Sequence, residues 1–167
     1  RYELSNGVVT RTMINVTRAH ARICTNLVLE LGRLLDQNRY FIATADFAVD
    51  TGVGSRGPDI VVDEALLDRR SLATDAPVFL AEVLSPSSAG LDFTTNLREY
   101  TGIASLREYL VCSQDSVRVW LCSRRADGSW PEDAETIEGR EATVPVAGLG
   151  AELDMGALHV KTHGNIE

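Results

Sequence analysis

Two acids, twenty-three residues apart, stand where acids are poorly tolerated in this 167-residue chain. Asp59 follows Pro58 and heads the apolar run Ile60-Val61-Val62, and Glu82 sits inside Leu80-Ala81-Glu82-Val83-Leu84. A carboxylate among apolar neighbours is strongly disfavoured unless something compensates its charge. Strand alternation puts Glu82 on one face with Val78, Leu80 and Leu84, and Asp59 on one face with Val61 and Asp63. Neighbouring strands would then aim both acids into one pocket. Acids brought together repel, and a divalent cation relieves the repulsion, with hard oxygen ligands favouring magnesium or manganese. From spacing alone a second reading stays open, in which Asp59 caps a turn and Glu82 pairs with an arginine.

Other chemistries are less well supported. Gly52, Gly54 and Gly57 spell G-x-G-x-x-G, but a dinucleotide loop must join a strand to a helix whose N-terminus holds the pyrophosphate. Here Pro58 and an apolar strand follow, so the glycines are expected to form a hairpin between the first two core strands. Ser85, Ser87 and Ser88 lack the G-x-S-x-G turn of a hydrolase nucleophile. His20 stands apart from His159 and His163 in sequence, which gives no paired-histidine metal motif. His20 is either a hydrogen-bonding residue between helix and sheet or a supporting group of the acid site. Asp46 is either a third acid or an ordinary polar residue.

The elements that must position the two acids follow from periodicity. Tyr2-Glu3-Leu4 and Val8-Val9-Thr10 flank Asn6-Gly7, a strong hairpin signal. From Thr17 to Asp36, Ile23, Leu27, Leu31 and Leu34 form one helical face that should lie against a sheet. Tyr40–Val49, Pro58–Val62 and Val78–Leu84 read as strands in a meander, the last nearly all apolar and therefore central. Asp92–Thr101 reads as a helix with Phe93, Leu97 and Tyr100 buried and Gly102 as its stop. Glu108–Cys112 and Val117–Cys122 are strands split by a turn at Gln114-Asp115. Beyond Arg124 the pattern weakens into a Gly/Pro/acid-rich tail in which one more strand is expected. The order helix, three strands, helix, strand predicts an α/β fold with a mixed sheet, in a single domain over residues 1–167.

Composition narrows the partners. The net charge is −8, so nucleic acid cannot be held by bulk electrostatics and any such contact must be local. Of the 16 basic residues, 15 are arginine and Lys161 alone is lysine. Arg18, Arg22 and Arg33 share one side of the first helix, either as a solvated face or as a phosphate track. Cys24, Cys112 and Cys122 show no C-x-x-C spacing, which fits a reducing cytoplasm. No apolar run is long enough for a membrane span, and the polar opening is no secretory signal. Asn15-Val16-Thr17 therefore reads as a chance glycosylation sequon.

The ordered set of Pro58-Asp59, Glu82-Val83-Leu84-Ser85-Pro86-Ser87, Asp92-Phe93, Tyr100 and Ser105-Leu106-Arg107-Glu108-Tyr109-Leu110-Val111 resembles the bacterial family of putative restriction endonucleases within the PD-(D/E)XK nuclease superfamily. Tyr2 to Gly7, His20 with Asn26, and Ala76-Pro77 are similar to the same family, and the likeness runs from Tyr2 to about Trp130. It implies a restriction-endonuclease-like core with an N-terminal hairpin and extra C-terminal strands. It implies too that Asp59, Glu82 and the backbone carbonyl of Val83 bind magnesium or manganese, and that a nucleic-acid phosphodiester is hydrolysed. The expected partner is nucleic acid, DNA ahead of RNA, with no membrane and with a homodimer left open.

One position departs from the pattern. The superfamily's lysine, two residues after the glutamate, is Leu84 here; the family resembles a variant with that lysine on the following helix, four residues after Asp92. That position is Asn96. An amide offers hydrogen bonds but no charge, so a weakened nuclease is one expectation. A catalytically inactive binding or oligomerisation module on the same fold is the other.

Overall fold

Thr17 starts the first helix, α1 (Arg18–Leu34), by accepting a hydrogen bond from the His20 backbone N–H through its hydroxyl at 3.1 Å. Such a cap satisfies one of the donors a helix leaves orphaned at its first turn. Ile23, Leu27 and Leu31 are fully buried on the face that meets the sheet. The computed structural model describes residues 2–5, 7–11, 16–64, 70–84 and 97–162. Asn96, Asp92, Phe93, His163 and the serines at 85, 87 and 88 lie outside these, as does most of the expected second helix, of which 97–100 is described and helical.

The strands, in chain order, are β1 (Tyr2–Ser5), β2 (Val8–Arg11), β3 (Tyr40–Thr44), β4 (Ala48–Asp50), β5 (Gly54–Arg56), β6 (Ile60–Glu64), β7 (Ala73–Thr74) and β8 (Pro77–Leu84). They continue with β9 (Glu108–Ser113), β10 (Arg118–Ser123), β11 (Glu135–Glu138), β12 (Thr143–Val146) and β13 (Ala151–Asp154). The main sheet has six strands in the order β11-β10-β9-β8-β6-β3. Its pairs are antiparallel except β8 with β9, which run parallel, so the sheet is mixed. A parallel pair needs a crossover between its strands, and residues 85–107 supply it.

Three corrections concern β3 to β8. The strand expected over Tyr40–Val49 is two strands, β3 and β4, separated by a turn that carries Asp46 exposed to solvent. The strand expected over Pro58–Val62 begins two residues later, leaving Asp59 in a bend at its head. Between β3 and β6 the chain leaves the main sheet for a second one, ordered β2-β1-β5-β4-β7. Within it β4 and β5 are the glycine hairpin, turning at Gly52 with φ 77°. No helix follows the glycines, in keeping with the rejection of a dinucleotide loop.

The segment after Arg124 is more ordered than its composition suggests. Besides β11, it forms the β12-β13 hairpin and the short helix Met155–Leu158, whose N-cap is Asp154. Val144, Val146, Leu153, Met155 and Leu158 are fully buried in one cluster with Ile23, Leu27 and Leu31 of α1. The Asn26 amide, itself buried, donates to the Leu158 carbonyl at 2.8 Å and ties helix to tail. A second cluster, on the opposite face of the sheet, joins Val61 and Leu80 to Tyr100, Tyr109, Val111 and Cys122. Val78, expected on that face, belongs instead to the α1 side. The β6/β8 register shifts between Val62 and Asp63, which pair with Phe79 and Pro77 and skip it.

Glu108 begins β9 at 1% exposure, accepting from the Gly148 backbone N–H at 3.0 Å through Oε1, while among the described residues Oε2 has no hydrogen-bond partner. Burial pushes its carboxyl pKa up, against the lowering effect of the backbone donors. A native pKa above the unfolded one means that the group's contribution is full below the unfolded carboxyl pKa and is lost as pH rises through the native value. Glu108→Gln is therefore expected to flatten the fall in stability as pH rises above the ordinary carboxyl range. Asp63, also raised by burial, titrates in the same sense, so some slope should remain. Urea unfolding of both proteins as pH rises through and above that range checks it, and identical slopes would refute the assignment.

Candidate active site

The central strand β8 is buried along most of its length, and Glu82 and Leu84, at its C-terminal end, are its half-buried residues. In the antiparallel β6/β8 pair, Ile60 lies opposite Ala81. Asp59 precedes Ile60 in the bend at the head of β6, and Glu82 follows Ala81 in β8. The Val83 backbone N–H donates to Asp59 Oδ2 at 2.8 Å, so the head of β6 is pinned to β8 by the acid itself.

His20 approaches from α1. Its Nε2 lies 3.1 Å from Asp59 Oδ2, and both side chains are largely buried. One turn on, Cys24 Sγ lies 3.6 Å from His20 Nδ1. The Cys24 thiol reports the local field. Burial first, then the charges of Asp59 and Glu82, push its pKa up to about 12.

Glu82 is held from the other face. The Tyr100 hydroxyl donates to Glu82 Oε1 at 3.2 Å, and burial followed by the Glu82 charge raises the phenol pKa, keeping the O–H in place as a donor. Tyr100 is 1% exposed and packs edge-on against Tyr109, ring centroids 5.2 Å apart. The adjacent Glu99 is gripped by both Nε and a terminal nitrogen of Arg56, at 2.8 and 2.7 Å, and Arg56 also reaches Glu3 of β1 at 3.2 Å. Arg56 belongs to the G-x-G-x-x-G stretch. The role of that stretch in the fold is thus to clamp the N-terminal hairpin to the turn of helix that carries Tyr100.

A third link runs behind Leu84. Gln114, 4% exposed in the β9-β10 turn, donates to the Leu84 carbonyl at 2.7 Å and accepts from the hydroxyl of Thr17. One amide therefore couples the start of α1 to the end of β8. Sequence reasoning passed over Tyr100, Arg56, Cys24 and Gln114 as site-shaping residues. Tyr100 carried the only usable signal, since a tyrosine rather than a phenylalanine on a buried helical stripe needs a partner for its hydroxyl.

The structure brings His20 and the Val83 backbone N–H onto Asp59, while Glu82, beside Val83 in β8, is met by Tyr100. Asp46 is exposed in its turn, and no described contact joins it to the two acids. His159 is fully buried, its ring nitrogens on the carbonyls of Met155 at 3.2 Å and Ser113 at 3.3 Å, which is a structural use. Arg18, Arg22 and Arg33 are exposed, and Arg33 pairs with Glu30 on the same helix at 2.9 Å. Among the described residues, no helix is long and apolar enough to cross a membrane.

Known proteins share this framework. Residues 1–156 match the family Uma2, described as "Putative restriction endonuclease". An uncharacterized protein of Synechocystis sp., sll1609, is 29% identical over 116 residues, which span 66% of this chain and 66% of that protein. The crystal structure of a "putative nuclease belonging to DUF820" from Anabaena variabilis aligns with TM-score 0.77 over 95% of this chain and 89% of its own, at 17% identity. At that identity the likeness concerns the fold.

Proposed function

The chain belongs to the family Uma2, "Putative restriction endonuclease", and from this premise we propose that it hydrolyses nucleic-acid phosphodiesters with a divalent metal held by Asp59 and Glu82. The observation that supports this most is Asp59 at the head of β6, held against β8 next to Glu82 by the Val83 backbone N–H at 2.8 Å. Hard oxygen donors in that number suit magnesium or manganese, with the Val83 carbonyl as the third donor the family likeness implies. When bound, such a metal would polarise the phosphate and supply a nucleophilic hydroxide from water.

The chain's own residues then have separate tasks. Asp59 is oriented by the Val83 N–H and by His20. Glu82 is oriented by Tyr100, whose neighbour Glu99 is fixed by Arg56. Because the chain carries a net −8, substrate must reach these acids with the help of the metal's charge or of individual arginines, and binding should weaken with salt less steeply than for a basic DNA-binding protein. DNA is the substrate to test first.

Supercoiled plasmid should be nicked in magnesium or manganese and left intact in a chelator. Metal binding has its own signature. A ligand that binds only the native state at a hundred times its Kd stabilises it by about 2.7 kcal/mol, roughly 5–10 °C in Tm for a domain of this size. The shift should be present in the wild type and lost in Asp59→Asn, whose amide oxygen still accepts from Val83. Equal melting curves with and without millimolar metal would argue against the site.

Asn96 favours a second reading, a nuclease fold that binds nucleic acid or self-associates without cutting. That reading keeps the metal-dependent shift and lacks the nicking.

A further inference from the structure

His20 and Cys24 are separated by one helical turn on α1 and so present their side chains side by side. With Asp59 they form a group whose potential ligand atoms, one per residue, all lie within 4.8 Å of one another. A tetrahedral zinc with bonds of 2.0–2.3 Å separates its ligand atoms by roughly 3.3–3.8 Å. The His20 Nδ1 to Cys24 Sγ distance is 3.6 Å and the His20 Nε2 to Asp59 Oδ2 distance is 3.1 Å; a single ion takes one of these two ring nitrogens, so closure requires the imidazole to turn until that nitrogen faces both other ligands, across separations that are at most 4.8 Å.

We propose that His20, Cys24 and Asp59 form a soft-metal site, for zinc or cadmium, that shares Asp59 with the hard-metal position formed with Glu82. The donor set makes the distinction. Imidazole and thiolate select zinc-like ions, whereas magnesium is held by oxygen and dehydrates reluctantly. Three protein donors leave a fourth position open, as in zinc sites with an exchangeable ligand. On binding, the Cys24 thiol proton leaves to solvent and the metal takes its place. Cys112 and Cys122 are 0% and 1% exposed, which leaves half-buried Cys24 as the thiol that an ion can reach.

The consequence rests on the nuclease reading: an ion drawing Asp59 toward α1 removes it from the hard-metal position, so zinc acts as an inhibitor. The binding itself does not depend on that reading. Cadmium is the probe, since a cadmium-thiolate bond absorbs in the ultraviolet through sulfur-to-metal charge transfer. Titrating the protein with cadmium, without nucleic acid, should give a saturable band of one-to-one stoichiometry. The band should be absent in both Cys24→Ser and Cys24→Ala, and the affinity should fall by at least about tenfold in His20→Gln and Asp59→Asn. A band that persists in both Cys24 variants, or its absence from folded wild type, overturns the proposal. A wild type that nicks DNA but shows no thiolate band loses only the soft-metal site. One that shows the band and does not nick loses only the nuclease reading.

Discussion

Glu82→Gln is expected to keep its fold and to lose metal-dependent nicking by about a thousandfold. A bound metal's charge stabilisation of the transition state amounts to several kcal/mol, and roughly 4 kcal/mol corresponds to three decades in rate. The amide removes the charge that holds the ion while retaining an oxygen at Oε1, the atom that accepts from Tyr100 at 3.2 Å. Loss of activity can therefore be separated from loss of packing. Plasmid conversion over a time course, with circular dichroism melting of the same samples, measures both. Wild-type rates in the variant would remove Glu82 from the machinery and leave it a structural residue, with Tyr100 as its described partner in place of the arginine that the sequence left open. Asp59→Asn should give a comparable defect through the other acid, because its amide keeps the Val83 contact and loses the charge.

What the sequence revealed divides along a physical line. Local signals were reliable. The spacing of Ile23, Leu27 and Leu31 located α1 and its buried face, and Asn6-Gly7 located the hairpin whose paired residues are Ser5 and Val8. The two acids stood out because a charge inside an apolar run demands an explanation. Signals carried by tertiary context were not legible. Nothing in Thr44-Ala45-Asp46 marks a break by glycine or proline, so β3 and β4 read as one strand. Strands of two and three residues, β4, β5 and β7, are too short to show a period, and the second sheet was missed with them. In β12 the alternation is clear, Val144 and Val146 buried and Thr143 and Pro145 exposed, but a proline argues against an interior strand. Pro145 is accommodated because β12 belongs to a sheet of two strands, where every strand is an edge. The approach of His20 to Asp59 crosses 39 residues of sequence, and no periodicity encodes it.

The substitution that should raise activity is Asn96→Lys. By resemblance, position 96 is where the family's relocated lysine stands, and the helix that the sequence pattern predicts over Asp92–Thr101 would put it one turn before Tyr100. Tyr100 touches Glu82, so a lysine one turn from it would bring a cation toward the carboxylate end of the site. There it would orient the attacking water and stabilise charge developing on the phosphate, contributions of about 10²- to 10⁴-fold for a group of this kind. Lysine favours helix over asparagine by a few tenths of a kcal/mol, so a folding defect should not obscure the result. Lys161 is the chain's only lysine, and no second one is available to complicate the comparison. A strong rise in nicking, dependent on metal and abolished by Glu82→Gln in the double variant, identifies a nuclease weakened at one position. Background hydrolysis in both proteins, despite a metal-dependent rise in Tm, identifies a fold retained for binding. An active wild type that the lysine fails to improve shows that position 96 does not hold the lysine's role. Water orientation then falls to His20, the described neighbour of Asp59, and His20→Gln becomes the variant whose pH-rate profile should change.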